Sequence, residues 1–170
     1  MSEETTTAPE GATTEQPAGP KFALQRLYLK DLSFETPQGV EAFKKQWKPQ
    51  VNQDLNTKSS KIDDGVYEVA LRLTVTVKHE EETIYLIEVE QAGLFSIDGL
   101  EEQHLARVIN TTCPNMLFPY AREVIDSTLV KASFPPLMMP PINFDALFAA
   151  AVQQAKAKAE AESAQTEATH

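Results

Sequence analysis

Cys113 is the single thiol of this chain, and it stands in "TTCPNMLFPYARE" (111–123), where a helix could begin. A thiol at a helix N-terminus can have a depressed pKa and act as a nucleophile. It then needs a base, and the histidine nearest in sequence, His104, has no supporting pattern around it. No CxxC pair and no nucleophile elbow surrounds the cysteine. Free cysteines are among the most often buried residues, so packing is its expected role. His79, His104 and His170 have no metal-ligand spacing, and a solvent-exposed role is expected for them. With six glycines and neither GxGxxG nor a Walker pattern, the chain has no phosphate loop. The acidic runs Asp63-Asp64 and Glu80-Glu81-Glu82 fall where turns are expected, which suits a solvated surface better than acid–base work. These residues argue against an enzyme and call for no cofactor or metal.

Charge narrows the partners. The formal net charge is -10, with -4 in residues 1–20, -1 in residues 151–170 and -5 in the span between them. An acidic surface repels phosphate backbones, so nucleic acid is not an expected partner, whereas a basic protein or segment is. The N-terminus, "MSEETTTAPEGATTEQPAGP", lacks the basic and apolar blocks of a signal peptide, and no apolar run is long enough for a membrane-spanning helix. One cysteine fits a reducing compartment, and the cytoplasm is the expected location.

The elements that must carry any site follow from the pattern. Residues 1–20 hold no large apolar side chain after Met1 and are expected to be a disordered acidic extension. Residues 153–170 form a polar tail, rich in helix formers. Between them the first half predicts four strands, about 22–35, 51–62, 66–78 and 83–97, with a hairpin turn at Asp64-Gly65, and a meander is the economical arrangement. "VYEVALRLTVTV" (66–77) alternates cleanly, with Tyr67, Val69, Leu71, Leu73, Val75 and Val77 on one face. Strands one and four do not. By simple alternation Phe22, Leu24, Tyr28, Leu32 and Phe34 share a face, with Leu27 and Leu29 opposite; Tyr85, Ile87, Val89 and Phe95 oppose Ile84, Leu86 and Leu94. A sheet apolar on two faces must be covered twice, by helices, a second subunit or a ligand.

The second half predicts helices at about 100–111, 115–131 and 143–157. Thr112 is the expected cap ahead of Pro114, Pro119 either begins or kinks the main helix, and Asn143 caps the last one. That last helix hangs from "SFPPLMMPPI" (133–142) and is expected to act as a movable flap. Phe43 and Trp47 in "AFKKQWKPQ" either staple their loop to the sheet or line a groove, and Met138 and Met139 pose the same choice. The expected class is α+β, one domain over 21–152.

Taken together, "RLYLKDLSFE", "DDGVYEVALRLTVTV", "EVEQAGLFSI", "CPNMLFPYARE" and "FPPLMMPPINFDALF" resemble, in order and over about residues 21–150, the bacterial protein-export chaperone family SecB. The resemblance implies a four-stranded antiparallel sheet with helices on one side, assembled as a dimer of dimers. It implies an ATP-independent chaperone that binds unfolded precursor proteins in apolar surface grooves and delivers them to the translocation motor SecA. Carried over by position, the contact for the motor's basic, zinc-bearing C-terminal tail falls on Asp31, Glu35, Leu86 and Glu88. The oligomer interface falls on Ile87, Val89 and Gln91, joined by Tyr120, Val124 and Ile125 of the helical stripe. The client groove falls on Phe34, Phe43, Trp47, Phe144, Leu147 and Phe148. Two rival readings are a carrier of an apolar small ligand, closed in by Trp47 and the flap, and a cysteine enzyme built on Cys113 and His104.

Overall fold

A computed structural model describes residues 19–44 and 48–167, with side chains described as far as residue 160. Four strands come first: β1 (Lys21–Glu35), β2 (Gln50–Asp63), β3 (Val66–His79) and β4 (Glu82–Asp98). Three α-helices follow: α1 (Glu102–Asn110), α2 (Thr112–Lys131) and α3 (Phe144–Glu167). The strand boundaries lie within one residue of those expected from the pattern.

The sheet is antiparallel throughout, in the order β1-β4-β3-β2. The expected meander therefore holds only for β2, β3 and β4. Two-residue turns join those strands, Asp64-Gly65 and Glu80-Glu81, with Gly65 at φ 65° and Glu80 at φ 54°. β1 instead pairs with β4, so residues 36–49 must cross the end of the sheet to reach β2 on the far edge. A short 3-10 helix (Gly39–Phe43) lies in this crossover, and Ala42 is buried in the core. The far end of the crossover is tied to β3, where the Lys48 backbone N–H donates to Nδ1 of His79 at 3.2 Å. His79, expected to be free in solvent, is a structural acceptor.

The apparent double face of β1 has a simple cause. Its register against β4 slips between Leu24 and Arg26 and again between Leu29 and Asp31. Each slip is a β-bulge in which two residues face one, so alternation restarts one residue later. Phe22, Leu24, Leu27, Leu29, Leu32 and Phe34 thus stand opposite Ile97, Phe95, Gly93, Gln91, Val89 and Ile87. All six share the helix-side face, and Tyr28 moves to the outer one. A similar slip at Val77/Lys78 sends Ile84 into the core beside Tyr85. Of the β4 residues expected on the second apolar face, only Leu86 and Leu94 remain there, half-buried. Bulges explain the pattern without a second cover.

The core lies between α2 and the centre of the sheet. Val69, Leu71, Leu73, Val75 and Val77 of β3 and Tyr85, Ile87, Val89, Phe95 and Ile97 of β4 are closed to solvent. α2 answers with Cys113, Leu117, Phe118, Ala121, Ile125 and Leu129. Gly93 is needed where it is, because a Cβ there would lie 2.8 Å from the Phe95 ring and 3.2 Å from Leu117. α2 begins at Thr112, one residue before Cys113, so Pro114 falls in its first turn, where a missing N–H costs nothing. Thr112 does not cap it; the flanking residue is Thr111, whose hydroxyl instead donates to the Arg107 carbonyl of α1 at 2.9 Å. Pro119 lies inside the helix rather than at its start. α3 runs to Glu167, ten residues beyond the expected end, as its Ala, Gln, Lys and Glu content favours.

Candidate binding surfaces

The outer face of the sheet is where carboxylates gather. With β1, β4, β3 and β2 in register, one row reads Glu35, Leu86, Thr76, Asn52; the next reads Ser33, Glu88, Thr74, Asp54; a third reads Asp31, Glu90, Arg72, Asn56. Asp31, Glu35, Leu86 and Glu88 therefore share one surface, with Glu88 diagonal to each of the two β1 carboxylates. Asp31 and Glu35 are exposed, and Leu86 and Glu88 half-buried. Asp31 and Glu35 make no side-chain hydrogen bond or ion pair among the described residues, which leaves them open to an external cation.

Beside them lies an internal charge network. The Arg72 guanidinium donates through Nε to Glu90 at 2.9 Å, and a second N–H reaches the same carboxylate. Its remaining nitrogen is 3.5 Å from Glu88 Oε1, and the Thr74 hydroxyl donates to Glu88 Oε2 at 2.9 Å. Lys30 pairs with Glu68 at 2.8 Å and reaches Glu90 at 3.8 Å, and the Tyr28 hydroxyl also donates to Glu68. The Lys30 ammonium, then the Tyr28 hydroxyl, hold the Glu68 carboxyl below the ordinary range. Asp54, Arg72, Thr74 and Glu90 went unmarked as site residues in the sequence because a register between strands has no local signature.

The helix side carries the apolar surfaces. One aromatic cluster joins strand, crossover and tether: Phe34 lies 6.1 Å from Tyr85 and 6.3 Å from Phe134, and Phe43 lies 5.0 Å from Phe134. Phe134, inside the Pro-rich segment, was not singled out in the sequence, yet Phe34, Phe43 and Tyr85 all pack on it. Phe43 remains 54% exposed, so it both staples the crossover and offers a surface. Trp47 lies outside the described residues.

A second apolar surface lies under α3, where Leu55, Thr57, Asn110, Phe144, Leu147, Phe148 and Ala151 line an open cavity of about 280 Å³. Phe144 is buried, edge-on to Phe118 at 6.2 Å, whereas Leu147 is half-exposed and Phe148 half-buried. α3 is tied down by Asn143, whose side-chain oxygen accepts the Ala146 N–H at 3.0 Å, and by the exposed Arg107–Asp145 pair at 2.8 Å. Its tether is pinned by Asp126, whose carboxylate accepts the Leu137 and Met138 N–H groups, and by Arg122 donating to the Met139 carbonyl. The two methionines divide: Met139 is core, and Met138 is 74% exposed at φ 49°. Of the expected groove residues, Phe34 and Phe43 belong to an apolar surface around Phe134, and Phe144, Leu147 and Phe148 to one beneath α3.

The expected oligomer residues differ in exposure. Ile87, Val89 and Gln91 are buried within this subunit on the helix side of β4, and Ile125, on α2 itself, faces the same core. Tyr120 is exposed and Val124 half-buried. The larger uncovered apolar surface is the helix-side face of the edge strand β1, where Phe22, Leu29 and Leu32 are 41%, 44% and 40% exposed. Cys113 is closed to solvent, and burial pushes its thiol up to about 12, which disfavours the thiolate that a nucleophile needs. No helix among the described residues is long and apolar enough to cross a membrane, and none of their His, Cys, Asp and Glu side chains cluster as a metal site.

Comparison with known proteins bears on both surfaces. Residues 15–155 match the family model for SecB, preprotein translocase subunit SecB. The chain is 58% identical over 149 residues to the protein-export protein SecB of Cellvibrio japonicus, covering 88% of this chain and 89% of that protein. It is 57% identical over 152 residues to that of Hahella chejuensis, covering 88% and 96%, and 50% identical over 161 residues to that of Marinobacter nauticus, covering 95% and 97%. Among solved structures it is similar in fold to the Mycobacterium tuberculosis Rv1957 SecB-like chaperone in complex with a ChAD peptide from the Rv1956 HigA1 antitoxin. That match has a TM-score of 0.58 at 15% identity, covering 71% of this chain and 90% of the other.

Proposed function

The chain belongs to the SecB family of protein-export chaperones, and on that premise we propose that it holds unfolded precursor proteins on its apolar surfaces and passes them to the SecA motor at its acidic outer face. Holding needs no nucleotide. A client-tolerant surface needs long apolar area and adaptable side chains rather than a shaped pocket. The Phe34–Phe43–Phe134 cluster and the Phe144–Leu147–Phe148 flank of α3 supply such area on one side of the sheet. Weak individual contacts are offset when one client spans several surfaces of an assembly.

The observation that carries the reading of the other side is the register itself: Asp31, Glu35, Leu86 and Glu88 come from two strands to one surface whose two exposed carboxylates make no hydrogen bond or ion pair among the described residues. A basic, zinc-bearing tail fits that surface by charge. Assembly as a dimer of dimers is supported by the uncovered face of β1 and by Tyr120, which a second copy would bury. Ile87, Val89 and Gln91 then act on assembly through α2, which they support from beneath. The cytoplasm is the compartment where precursor and motor meet.

One experiment separates the two sides. Purified protein is mixed with an unfolded export precursor and, separately, with the motor's C-terminal tail. Wild type is expected to capture each, and Glu88→Lys is expected to lose the tail while keeping the precursor. Failure to delay precursor refolding would overturn the holding function. Loss of both ligands together would place Glu88 in assembly rather than docking.

A further inference from the structure

We propose that Arg72 is a resident counter-cation of the acidic face, and that a basic partner docks by exchanging with Arg72 over Glu88. The inference rests on the reading of this face as a docking site for a cationic segment. Its geometry is asymmetric. Arg72 is anchored to Glu90 by two N–H groups, and Glu90 is nearly closed to solvent, at 9% side-chain exposure. Little of that carboxylate is left for a partner to reach. Arg72 holds Glu88, 29% exposed, only through its third nitrogen at 3.5 Å. Thr74 takes the other oxygen of Glu88 at 2.9 Å, so the carboxylate is held in one orientation with its outward lone pairs free.

An incoming ammonium or guanidinium therefore displaces one long contact while Arg72 stays seated on Glu90. The neighbouring cation Lys30 is engaged with Glu68 and Glu90 and does not reach Glu88, so Arg72 alone among the described side chains performs this role. Asp31 faces Arg72 from β1, opposite Glu90, and draws the guanidinium toward the same side of the sheet. The arrangement makes docking an exchange of cations: Glu88 is never bare in the free protein, and the partner's hold on it is weakened by the cation it must displace.

The charge-neutral pair of substitutions tests this. In full-length Arg72→Gln/Glu90→Gln the face keeps its net charge, but Glu88 loses its resident cation. A fluorescein-labelled octalysine peptide, followed by anisotropy at two ionic strengths, is expected to bind this variant about threefold more tightly than wild type, the scale of one half-exposed ion pair. The dependence on salt is expected to be unchanged, because long-range charge is unchanged. Equal or weaker binding by a double variant of wild-type melting temperature and precursor affinity overturns the inference. If that variant does not fold, Glu90→Gln decides: Arg72, released from its anchor, moves fully onto Glu88, and peptide binding falls at low and high ionic strength alike. A deficit that vanishes at high salt would reflect net charge alone and overturn the exchange. Glu88→Gln serves as the control for the underlying reading. If it leaves octalysine binding unchanged, the face is no docking site for cations and the exchange falls with it; if it weakens binding while the double variant does not tighten it, only the role of Arg72 is lost.

Discussion

The two faces of β4 are made by neighbouring residues, yet they obey different physics. Tyr85, Ile87, Val89 and Gln91 are closed off by α2, while Leu86 and Glu88 look outward across the sheet with Glu90 tucked between Arg72 and Lys30. On the inner side identity is set by volume and by the absence of unpaired charge. On the outer side it is set by which cation lies within reach. A single step along the chain separates a residue that specifies the fold from one that the proposed docking would use, and the bulges in β1 keep that division intact across the neighbouring strand. The largest test of the division is to place charge on each side in turn. Ile87→Asp would bury an unpaired carboxylate at a cost on the order of 4 kcal/mol. Against the usual 5–15 kcal/mol of a small domain that is a large share of the stability, and a fall in melting temperature of roughly 10 °C or more is expected by circular dichroism. Glu88→Lys, one residue on, is expected to melt within a few degrees of wild type. Similar losses from the two substitutions would break the comparison.

Gly93 sharpens it on the inner side. The space that a Cβ would fill is already occupied by the Phe95 ring and Leu117. Gly93→Val is expected to cost about 1–3 kcal/mol by overpacking, measured by urea unfolding. Because Phe95 also stacks on Phe22 of β1 at 5.8 Å, displacement of its ring should loosen the β1 edge, and hydrogen exchange there should rise.

How far the two faces were legible beforehand depends on where the information lies. β3 alternates without interruption, and its faces were readable residue by residue. β2, β3 and β4 are joined by turns whose residues announce them, so their pairing was readable too. The position of β1 was not, because a strand that returns beside β4 is specified by its apolar face and a long crossover, and neither encodes a neighbour locally. The bulges were equally hidden: no residue type distinguishes Gln25 or Lys30 as extra, and simple alternation put Leu27, Leu29 and Tyr28 on the wrong faces. The acidic site was half legible. Even spacing placed Asp31 with Glu35 and Leu86 with Glu88, but whether the two pairs share a surface depends on the register after the second bulge. Ile125, by contrast, lay on the expected helical stripe and proved to face inward, because a stripe does not say which of its flanks meets the sheet.

The bulge can be tested directly. Deleting Lys30 removes the extra residue and leaves Leu29 opposite Gln91 and Asp31 opposite Glu90, as they are now. The apolar set of β1 stays on the helix side, and the protein is expected to fold with a loss of no more than about 1 kcal/mol, the worth of the exposed Lys30–Glu68 pair. Thermal unfolding is the check. Unfolding of the deletion variant at 25 °C would mean that Lys30 is a register-setting residue and not a surplus one.

The smallest expected effect isolates the outer face by pH. Glu68 is held below the ordinary carboxylate range of about 4.5 by Lys30 first and by the Tyr28 hydroxyl second. A depressed carboxyl contributes stability that is present above its unfolded value and is lost as pH falls through its folded one. Glu68→Gln is therefore expected to lower the stability slightly at pH 7, by about 0.5 kcal/mol or less for a pair whose lysine is open to solvent, and the difference from wild type is expected to close as pH falls below about 4.5. Lys30, raised by the same bond, contributes on the other side: its share persists at neutral pH and fades only above its ordinary value of 10.5. A difference between wild type and Glu68→Gln that persisted at acid pH would assign Glu68 a packing role. The outer face would then share the logic of the inner one, which is the outcome the comparison of the two faces excludes.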